Sequence, residues 1–232
     1  MKILVLNPNS TAAMTDKVAR SLVPFAAPAS ELTFCNPAST PASIEGHYDE
    51  AASVLAMLEI IRDEERRGNR GTVIACFDDP GIGAAREIAA GPVIGICEAA
   101  MQAASILAAR FSVVTTLSRS VPIIEDLALR YGMERRCRRV HAADIAVLAL
   151  EHDPEARMVV RDAVCRAVAA DGSDAIILGC AGMADLTGWL SDEAGVPVID
   201  GCLAGLKIIE GLVQAGFATS KAGAYGWPRS KD

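Results

Sequence analysis

One stretch decides the fold of this chain: Thr72-Val73-Ile74-Ala75-Cys76-Phe77-Asp78-Asp79-Pro80-Gly81. Its apolar, β-type run ends in Cys76, a Pro-Gly turn follows, and the alanine-rich residues 82–90 predict a helix. The second half of the chain repeats this order, since the apolar run Ala175–Gly179 ends in Cys180. The pattern predicts a thiol at the carboxyl end of a buried strand in each half of the chain.

A second pair of segments follows these two cysteines and strengthens the repeat. Pro92-Val93-Ile94-Gly95-Ile96-Cys97 is echoed by Pro197-Val198-Ile199-Asp200-Gly201-Cys202. Apolar strands alternate with helices along the whole chain, which is typical of parallel sheets covered by helices. We therefore predict an α/β fold with two pseudo-symmetric Rossmann-like lobes, each with a parallel four-stranded sheet, and an active site in the cleft between them.

The repeat also predicts where the lobes divide. The helix that begins at Cys97 crosses into the second lobe, and the helix after Asp200 returns to the first. Lobe one is then residues 1–96 plus 201–232, and lobe two is residues 97–200. Within these helices Cys97 and Cys202 are predicted to be core residues, because free cysteine is among the most buried residue types.

Composition excludes several classes of protein. The 232 residues are 51% hydrophobic with a net charge of −7, which argues against disorder. The one basic block, Arg135-Arg136-Cys137-Arg138-Arg139, is expected to be a solvated segment that enters a strand rather than a surface for nucleic acid. No apolar run approaches the roughly 20 residues of a membrane helix. The seven cysteines lack CxxC spacing and the three histidines lack ligand spacing, so we expect reduced thiols, no metal and a cytoplasmic location. No lysine motif for a Schiff-base cofactor is present, and no cofactor is predicted.

The position of the two cysteines predicts acid–base chemistry. Ligands of open parallel sheets bind beyond the carboxyl ends of the strands, so Cys76 and Cys180 would face each other across one cleft. A helix N-terminus after each cysteine would lower the pKa of its thiol toward neutrality. One thiolate can then act as the base and the opposite thiol as the acid, which is what racemisation requires. Asp78 and Asp79 are expected to cap the helix that follows Pro80.

Five segments resemble the hydantoin racemase family, which is part of the aspartate/glutamate racemase superfamily. They extend over nearly the whole chain in the expected order: Asn7-Pro8-Asn9-Ser10-Thr11, Pro41-Ala42-Ser43-Ile44-Glu45-Gly46, Ala75-Cys76-Phe77-Asp78-Asp79, Arg110-Phe111-Ser112-Val113-Val114-Thr115-Thr116 and Leu178-Gly179-Cys180-Ala181-Gly182-Met183. The resemblance implies two α/β lobes and cofactor-independent racemisation of 5-substituted hydantoins, allantoin included, by the pair Cys76 and Cys180.

The resemblance also implies which residues hold the substrate ring. The expected contacts are Asn9, Ser43, Phe77, Thr115, Thr116 and the backbone amides of Ala181 and Gly182. Asp78 is a further candidate, because it adjoins Phe77 and Cys76. Phe77 fits the core equally well, and Asn9 and Thr116 fit a turn and a helix cap equally well.

Two other functions remain open from the sequence. Glutamate racemases carry Gly-Cys-Thr-His at the second cysteine, whereas this chain has Gly179-Cys180-Ala181-Gly182. An amino-acid (Asp/Glu) racemase or a maleate-type isomerase on the same scaffold is therefore the first alternative, and a non-catalytic small-molecule binding protein is the second. Related decarboxylases retain one of the two cysteines, and the presence of both here favours racemisation. The apolar helices and the resemblance further predict a homo-oligomer.

Overall fold

The computed structural model describes residues 1–153 and 155–230. The sequence predicts a helix start at Asp153-Pro154, and both Pro154 and residues 231–232 at the end of predicted lobe one lie outside the described residues. The strands are β1 (Lys2–Leu6), β2 (Glu31–Cys35), β3 (Gly71–Ile74), β4 (Val93–Gly95), β5 (Phe111–Thr115), β6 (Cys137–Ala142), β7 (Ala175–Gly179) and β8 (Val198–Asp200). The helices are α1 (Ala12–Leu22), α2 (His47–Arg66), α3 (Ile82–Ile88), α4 (Ile96–Leu107), α5 (Val121–Arg130), α6 (Ala149–His152), α7 (Ala156–Asp171), α8 (Thr187–Ala194) and α9 (Gly201–Gln214).

The strands form two sheets with the same topology. The first has the order β2-β1-β3-β4 and the second β6-β5-β7-β8, so that each strand of the first sheet has a counterpart four strands later. All neighbouring strands are parallel. The prediction of two similar α/β halves with parallel four-stranded sheets is confirmed. The division of the chain after residues 96 and 200 stays a prediction.

Strand alternation directs each sheet toward two different cores. On β1, Ile3 and Val5 join a central core that also contains the inner faces of β5 and β7, whereas Leu4 and Leu6 belong to an outer core with residues of α2 and α3. This is the period of two that a β-strand imposes on its side chains. The second sheet divides in the same way, with its outer face packed on α7 and α8.

Helices α4 and α9 lie in the central core and join the two sheets. Cys97, Cys202 and Leu206 are fully buried there, which confirms that both cysteines are core residues. A Cβ atom placed on Gly201 would lie 2.3 Å from the carbonyl oxygen of Ile96, so the first turns of α4 and α9 approach too closely for any other residue at this position. The two sheets are thus fixed to each other at the carboxyl ends of β4 and β8.

Candidate active site

Cys76 and Cys180 lie at the carboxyl ends of the matching strands β3 and β7. Each begins a turn that is closed by the backbone N–H of the third following residue: Asp79 donates to the carbonyl of Cys76 and Met183 to the carbonyl of Cys180, both at 3.1 Å. Both cysteines are partly buried residues and line one cavity between the sheets. The structure therefore brings the two cysteines to a single site.

The cavity is built mainly from the carboxyl ends of the inner strands β1, β3, β5 and β7 and the segments after them, with one residue each from the loops after β2 and β6. Its lining consists of Asn9, Met14, Ile44, Ala75, Cys76, Phe77, Asp78, Thr115, Thr116, Ser120, Val147, Gly179, Cys180 and Ala181. Among these lining residues, within the part of the chain that the structure describes, none is Lys, Arg or His. Asp78 is the one acidic residue of this described lining. A cavity of this kind is complementary to an uncharged molecule with several hydrogen-bonding groups, because no cation is available to neutralise a ligand carboxylate.

Eight of the ten residues proposed from the sequence line this cavity. Ser43 and Gly182 are the two that do not. The hydroxyl of Ser43 donates instead to Glu45 Oε1 at 3.2 Å. The same oxygen accepts the backbone N–H of Val147 at 3.3 Å, which joins the loop before α2 to the loop after β6. Ser43 therefore supports the wall that brings Ile44 and Val147 into the cavity.

The sequence reasoning missed six of the lining residues. They are Met14, Ile44, Ala75, Ser120, Val147 and Gly179. Ala75 and Gly179 could have been found, because each directly precedes a proposed catalytic cysteine. Ile44 lies within the segment 41–46 that was already singled out, and Ser120 lies in the polar turn after β5. Val147 had no signal, since its loop carries no motif and is placed at the cavity by tertiary bonds, among them the bond to Glu45.

Asn9 and Thr115 have hydrogen-bonding capacity to spare on the cavity side. Asn9 Oδ1 accepts the backbone N–H of Thr11 at 2.9 Å, while Asn9 Nδ2 faces only the sulfur of Met14, at 3.6 Å. The hydroxyl of Thr115 donates to the carbonyl of Gly179 at 3.0 Å, next to Cys180. A sulfur is a weak acceptor, so Asn9 Nδ2 can donate to a ligand, and Thr115, whose proton is already used, can accept from one.

The expected lowering of the Cys76 pKa is wrong. Helix α3 begins only at Ile82, six residues after Cys76, so its N-terminus does not adjoin the thiol. Burial raises the pKa of Cys76 well above its ordinary value, and the carboxylate of Asp78 raises it further, while the backbone N–H of Asp78 acts in the opposite direction. A negative charge on Cys180 also raises the pKa of Cys76. The two thiols are thus coupled, and ionisation of one disfavours ionisation of the other.

Asp78 is a buried carboxylate at the edge of the cavity, with only 7% of its surface exposed. Burial raises the pKa of Asp78 to about 7, Glu50 raises it as well, and His47 acts in the opposite direction. Below neutrality Asp78 is therefore a neutral acid that can donate a hydrogen bond, and above neutrality it is an anion. The charge of Asp78, next to Cys76, therefore changes around pH 7.

Asp79 does not cap the helix that follows Pro80, contrary to the expectation. Its Oδ1 accepts the backbone N–H of Cys97 at 3.0 Å, and its Oδ2 accepts the backbone N–H of Glu98 at 2.9 Å. Oδ2 also accepts the hydroxyl of Tyr131 at 2.7 Å. The carboxyl group of Asp79 therefore caps α4, a helix that is distant in sequence, and lies outside the cavity lining.

Neither a metal cluster nor a membrane span is present among the described residues. No group of three His, Cys, Asp or Glu within residues 1–153 and 155–230 is arranged to hold a metal ion. No helix in the same part of the chain is long and apolar enough to cross a membrane.

Comparison with known proteins identifies the family. A family model described as Asp/Glu/Hydantoin racemase matches residues 3–209, and the chain belongs to this family of isomerases. It is 53% identical over 232 residues to a hydantoin racemase of Rhizobium meliloti, across 100% of this chain and 96% of that protein.

Two solved structures show the same architecture. An allantoin racemase from Klebsiella pneumoniae has a TM-score of 0.97 and 47% identity, across 100% of this chain and 95% of that one. An allantoin racemase from Pseudomonas fluorescens has a TM-score of 0.92 and 35% identity, across 100% of this chain and 99% of that one. The chain is therefore a racemase-family protein with the fold of solved racemases, and its substrate is a separate question.

Proposed function

We propose that this protein is a cofactor-independent racemase of 5-substituted hydantoins, allantoin included, in which Cys76 and Cys180 act as the acid–base pair. The observation that carries the proposal is the cavity itself: two thiols from matching strands reach it, and none of its described lining residues is cationic. The names of the hydantoin and allantoin racemases that resemble the chain support the same substrate class.

The proposed reaction removes the proton from one face of the ring carbon C5 and adds a proton to the opposite face. The thiolate of one cysteine removes the C5 proton and becomes a thiol, and the electron pair moves onto the neighbouring ring carbonyl as an enolate. The opposite thiol then donates its proton to the other face of C5 and becomes a thiolate. The coupling between Cys76 and Cys180 supports this division of labour, since it favours one ionised and one neutral thiol at any moment.

The polar groups of the cavity suit the edges of a hydantoin ring. Asn9 Nδ2 can donate to a ring carbonyl, and Thr115 Oγ1 can accept a ring N–H. Donors that face the developing enolate oxygen stabilise it more than the starting carbonyl, which is how such a site lowers the barrier. Phe77 is both a core residue and a lining residue, and offers the ring an apolar face.

An amino-acid substrate fits this cavity poorly. Aspartate and glutamate carry two carboxylates, and an unpaired carboxylate in a closed cavity costs several kcal/mol. The lining supplies no Lys, Arg or His among the described residues, and its one acidic residue, Asp78, would repel a carboxylate above pH 7. The scaffold alone is shared with amino-acid racemases, so the charge of the lining is what favours a neutral ring.

The test is a racemisation assay on a panel of substrates in D2O. Pure enantiomers of allantoin, 5-benzylhydantoin, 5-isopropylhydantoin, aspartate and glutamate are incubated with the protein, and optical rotation and loss of the C–H proton signal are followed. A Cys76→Ser/Cys180→Ser double variant measures spontaneous racemisation. We expect at least one hydantoin to racemise and neither amino acid. Racemisation of the amino acids alone, or of nothing above the double variant, would contradict the proposal.

A further inference from the structure

Asp79 is a buried carboxyl group that the proposed reaction does not use. Only 2% of its surface is exposed, and it lies three residues after Cys76 without lining the cavity. Its three hydrogen bonds all go to other elements: two to the first turn of α4 and one to Tyr131, the residue that ends α5. A buried carboxyl group whose hydrogen bonds are satisfied by several elements holds those elements in place.

The bonds of Asp79 connect the Cys76 turn to the opposite wall of the site. Helix α5 leads back from Tyr131 to Ser120, a lining residue on the side of Cys180. The carboxyl group therefore ties the turn that carries Cys76 both to α4 and to the end of α5, the helix that follows Thr115 and Thr116 in the chain. Burial and the neighbouring Asp79 raise the pKa of Tyr131, so its hydroxyl stays a donor at all physiological pH values.

The backbone at residues 79 and 95 accommodates this carboxyl group. Asp79 has a φ of 45°, in the left-handed region that costs a non-glycine residue about 1 kcal/mol. A Cβ atom on Gly95 would lie 2.1 Å from Asp79 Oδ1, so the end of β4 has room for the carboxyl group only because residue 95 is glycine. Two positions far apart in sequence are thus matched to a single contact.

We propose that Asp79, together with Tyr131, is the positioning residue for the Cys76 thiol, and that it sets the place of this thiol relative to C5 of the substrate. The inference rests on the proposed function. The turn at Cys180 has no such carboxyl group, because its third residue is Met183, which is packed in the apolar core of the second sheet. Loss of the Asp79 contacts should therefore impair proton transfer on the Cys76 face and spare the Cys180 face.

The test compares four variants by enantiomer-resolved exchange. Asp79→Asn replaces one carboxylate oxygen by an NH2 group that faces N–H and O–H donors. Asp79→Gly removes the side chain, and glycine tolerates the positive φ of this position. Tyr131→Phe removes a single hydroxyl. The matched control is Asp200→Asn, because Asp200 caps α9 with bonds of 2.9 Å from the backbone N–H groups of Cys202 and Leu203 but is the last residue of β8 rather than part of a cysteine turn. Cys76→Ser and Cys180→Ser identify which enantiomer each cysteine deprotonates.

We expect Asp79→Asn and Asp79→Gly to lower kcat about 10- to 100-fold with KM within about twofold, since a small misplacement of a reacting group has effects of this size. Tyr131→Phe should lower kcat by up to about 10-fold, as the loss of one buried hydrogen bond does. In D2O, all three should slow exchange of the enantiomer that Cys76 deprotonates more than exchange of the other enantiomer. Asp200→Asn should leave the ratio of the two exchange rates unchanged.

Two outcomes would overturn the inference. One is an active wild type in which the Asp79 and Tyr131 variants slow both enantiomers equally, which is the mark of a purely structural role. The other is an equal change of the ratio by Asp200→Asn. An inactive wild type contradicts the proposed function, and the inference with it. Tyr131→Phe keeps the test decisive if the Asp79 variants do not fold, because it removes one oxygen atom from a half-buried side chain.

Discussion

The two cysteine turns occupy matching places in two sheets of the same topology, yet one is held by polar contacts and the other by apolar contacts. The turn from Cys76 to Asp79 is held by a buried carboxyl group, whereas the turn from Cys180 to Met183 is held by an apolar side chain. The residues that cap the following helices, α4 and α9, differ as well. Helix α9 is capped by Asp200 from the end of its own strand, and at the matching position of the first sheet stands Gly95.

This difference shows that two sheets of the same topology support their cysteine turns by different contacts. A carboxylate is needed at the N-terminus of each crossing helix, because the first N–H groups of a helix have no partner within it. At α9 the carboxylate comes from Asp200 at the end of β8, and at α4 it comes from Asp79 in the Cys76 turn. Because Asp200 caps α9, the Cys180 turn carries no charge. Because Asp79 caps α4, the cap of α4 is part of the Cys76 turn.

The largest expected effect tests whether the differently anchored thiols are equal in catalysis. Cys76→Ser and Cys180→Ser should each lower the rate of racemisation about 10³-fold, because a serine hydroxyl is a far weaker acid and base, and general acid–base catalysis contributes 10²- to 10⁴-fold. Polarimetry on the best hydantoin of the panel measures both. Cys165→Ser, on α7 and outside the cavity, is the control and should retain full activity. Activity above one tenth of the wild type in either variant would contradict the pairing.

A mutation of intermediate effect disrupts the close packing of Asp79 against Gly95. Gly95→Ala should lower the free energy of unfolding by about 2–4 kcal/mol, because the new methyl group displaces the Asp79 carboxyl group from its buried donors. Gly188→Ala is the matched control, since a Cβ atom at Gly188 in α8 meets no atom within 4 Å. That change should be neutral or stabilise by up to about 1 kcal/mol. Urea unfolding of both variants gives the comparison, and equal stability of the two would refute the expected clash.

The smallest expected effect concerns the charge that one turn carries and the other lacks. The pKa of Asp78 is about 7, so above neutrality its negative charge raises the pKa of Cys76. Asp78→Asn removes this charge, and the pKa of Cys76 should fall by about one unit or less. The pH dependence of Cys76 alkylation by iodoacetamide, followed by peptide mass spectrometry, reports the shift. Asp63→Asn, a half-exposed position on α2, should leave the profile unchanged, and an unchanged or higher pKa in Asp78→Asn would contradict the sign.

Much of the fold was predictable because its signals are local. The apolar run before each cysteine and the repeat after Pro92 and Pro197 predict the strands and their pairing into two similar sheets, and both predictions are confirmed. The gathering of Cys76 and Cys180 at one cavity follows from the rule that ligands bind at the carboxyl ends of parallel strands.

The remainder depends on tertiary contacts that no local pattern contains. Asp79 looked like a cap for the helix beside it, but its bonds reach Cys97 and Glu98 across a strand and a helix. The pKa of Cys76 was expected to fall because the helix dipole is a sequence-level feature, whereas the burial that raises it exists only in the folded chain. The loop of Val147 is held at the cavity by tertiary bonds to Glu45, Thr115 and Thr116, and its own sequence gives no sign of them.

The central claim is that each thiol serves one face of C5, and enantiomer-resolved exchange tests it most directly. Cys76→Ser and Cys180→Ser are each incubated in D2O with pure enantiomers of the hydantoin that the wild type racemises fastest, and the C5 proton signal is followed by NMR. We expect each variant to exchange one enantiomer without inverting it, and the two variants to exchange opposite enantiomers. Exchange of the same enantiomer by both variants, or of both enantiomers by either one, would contradict the account.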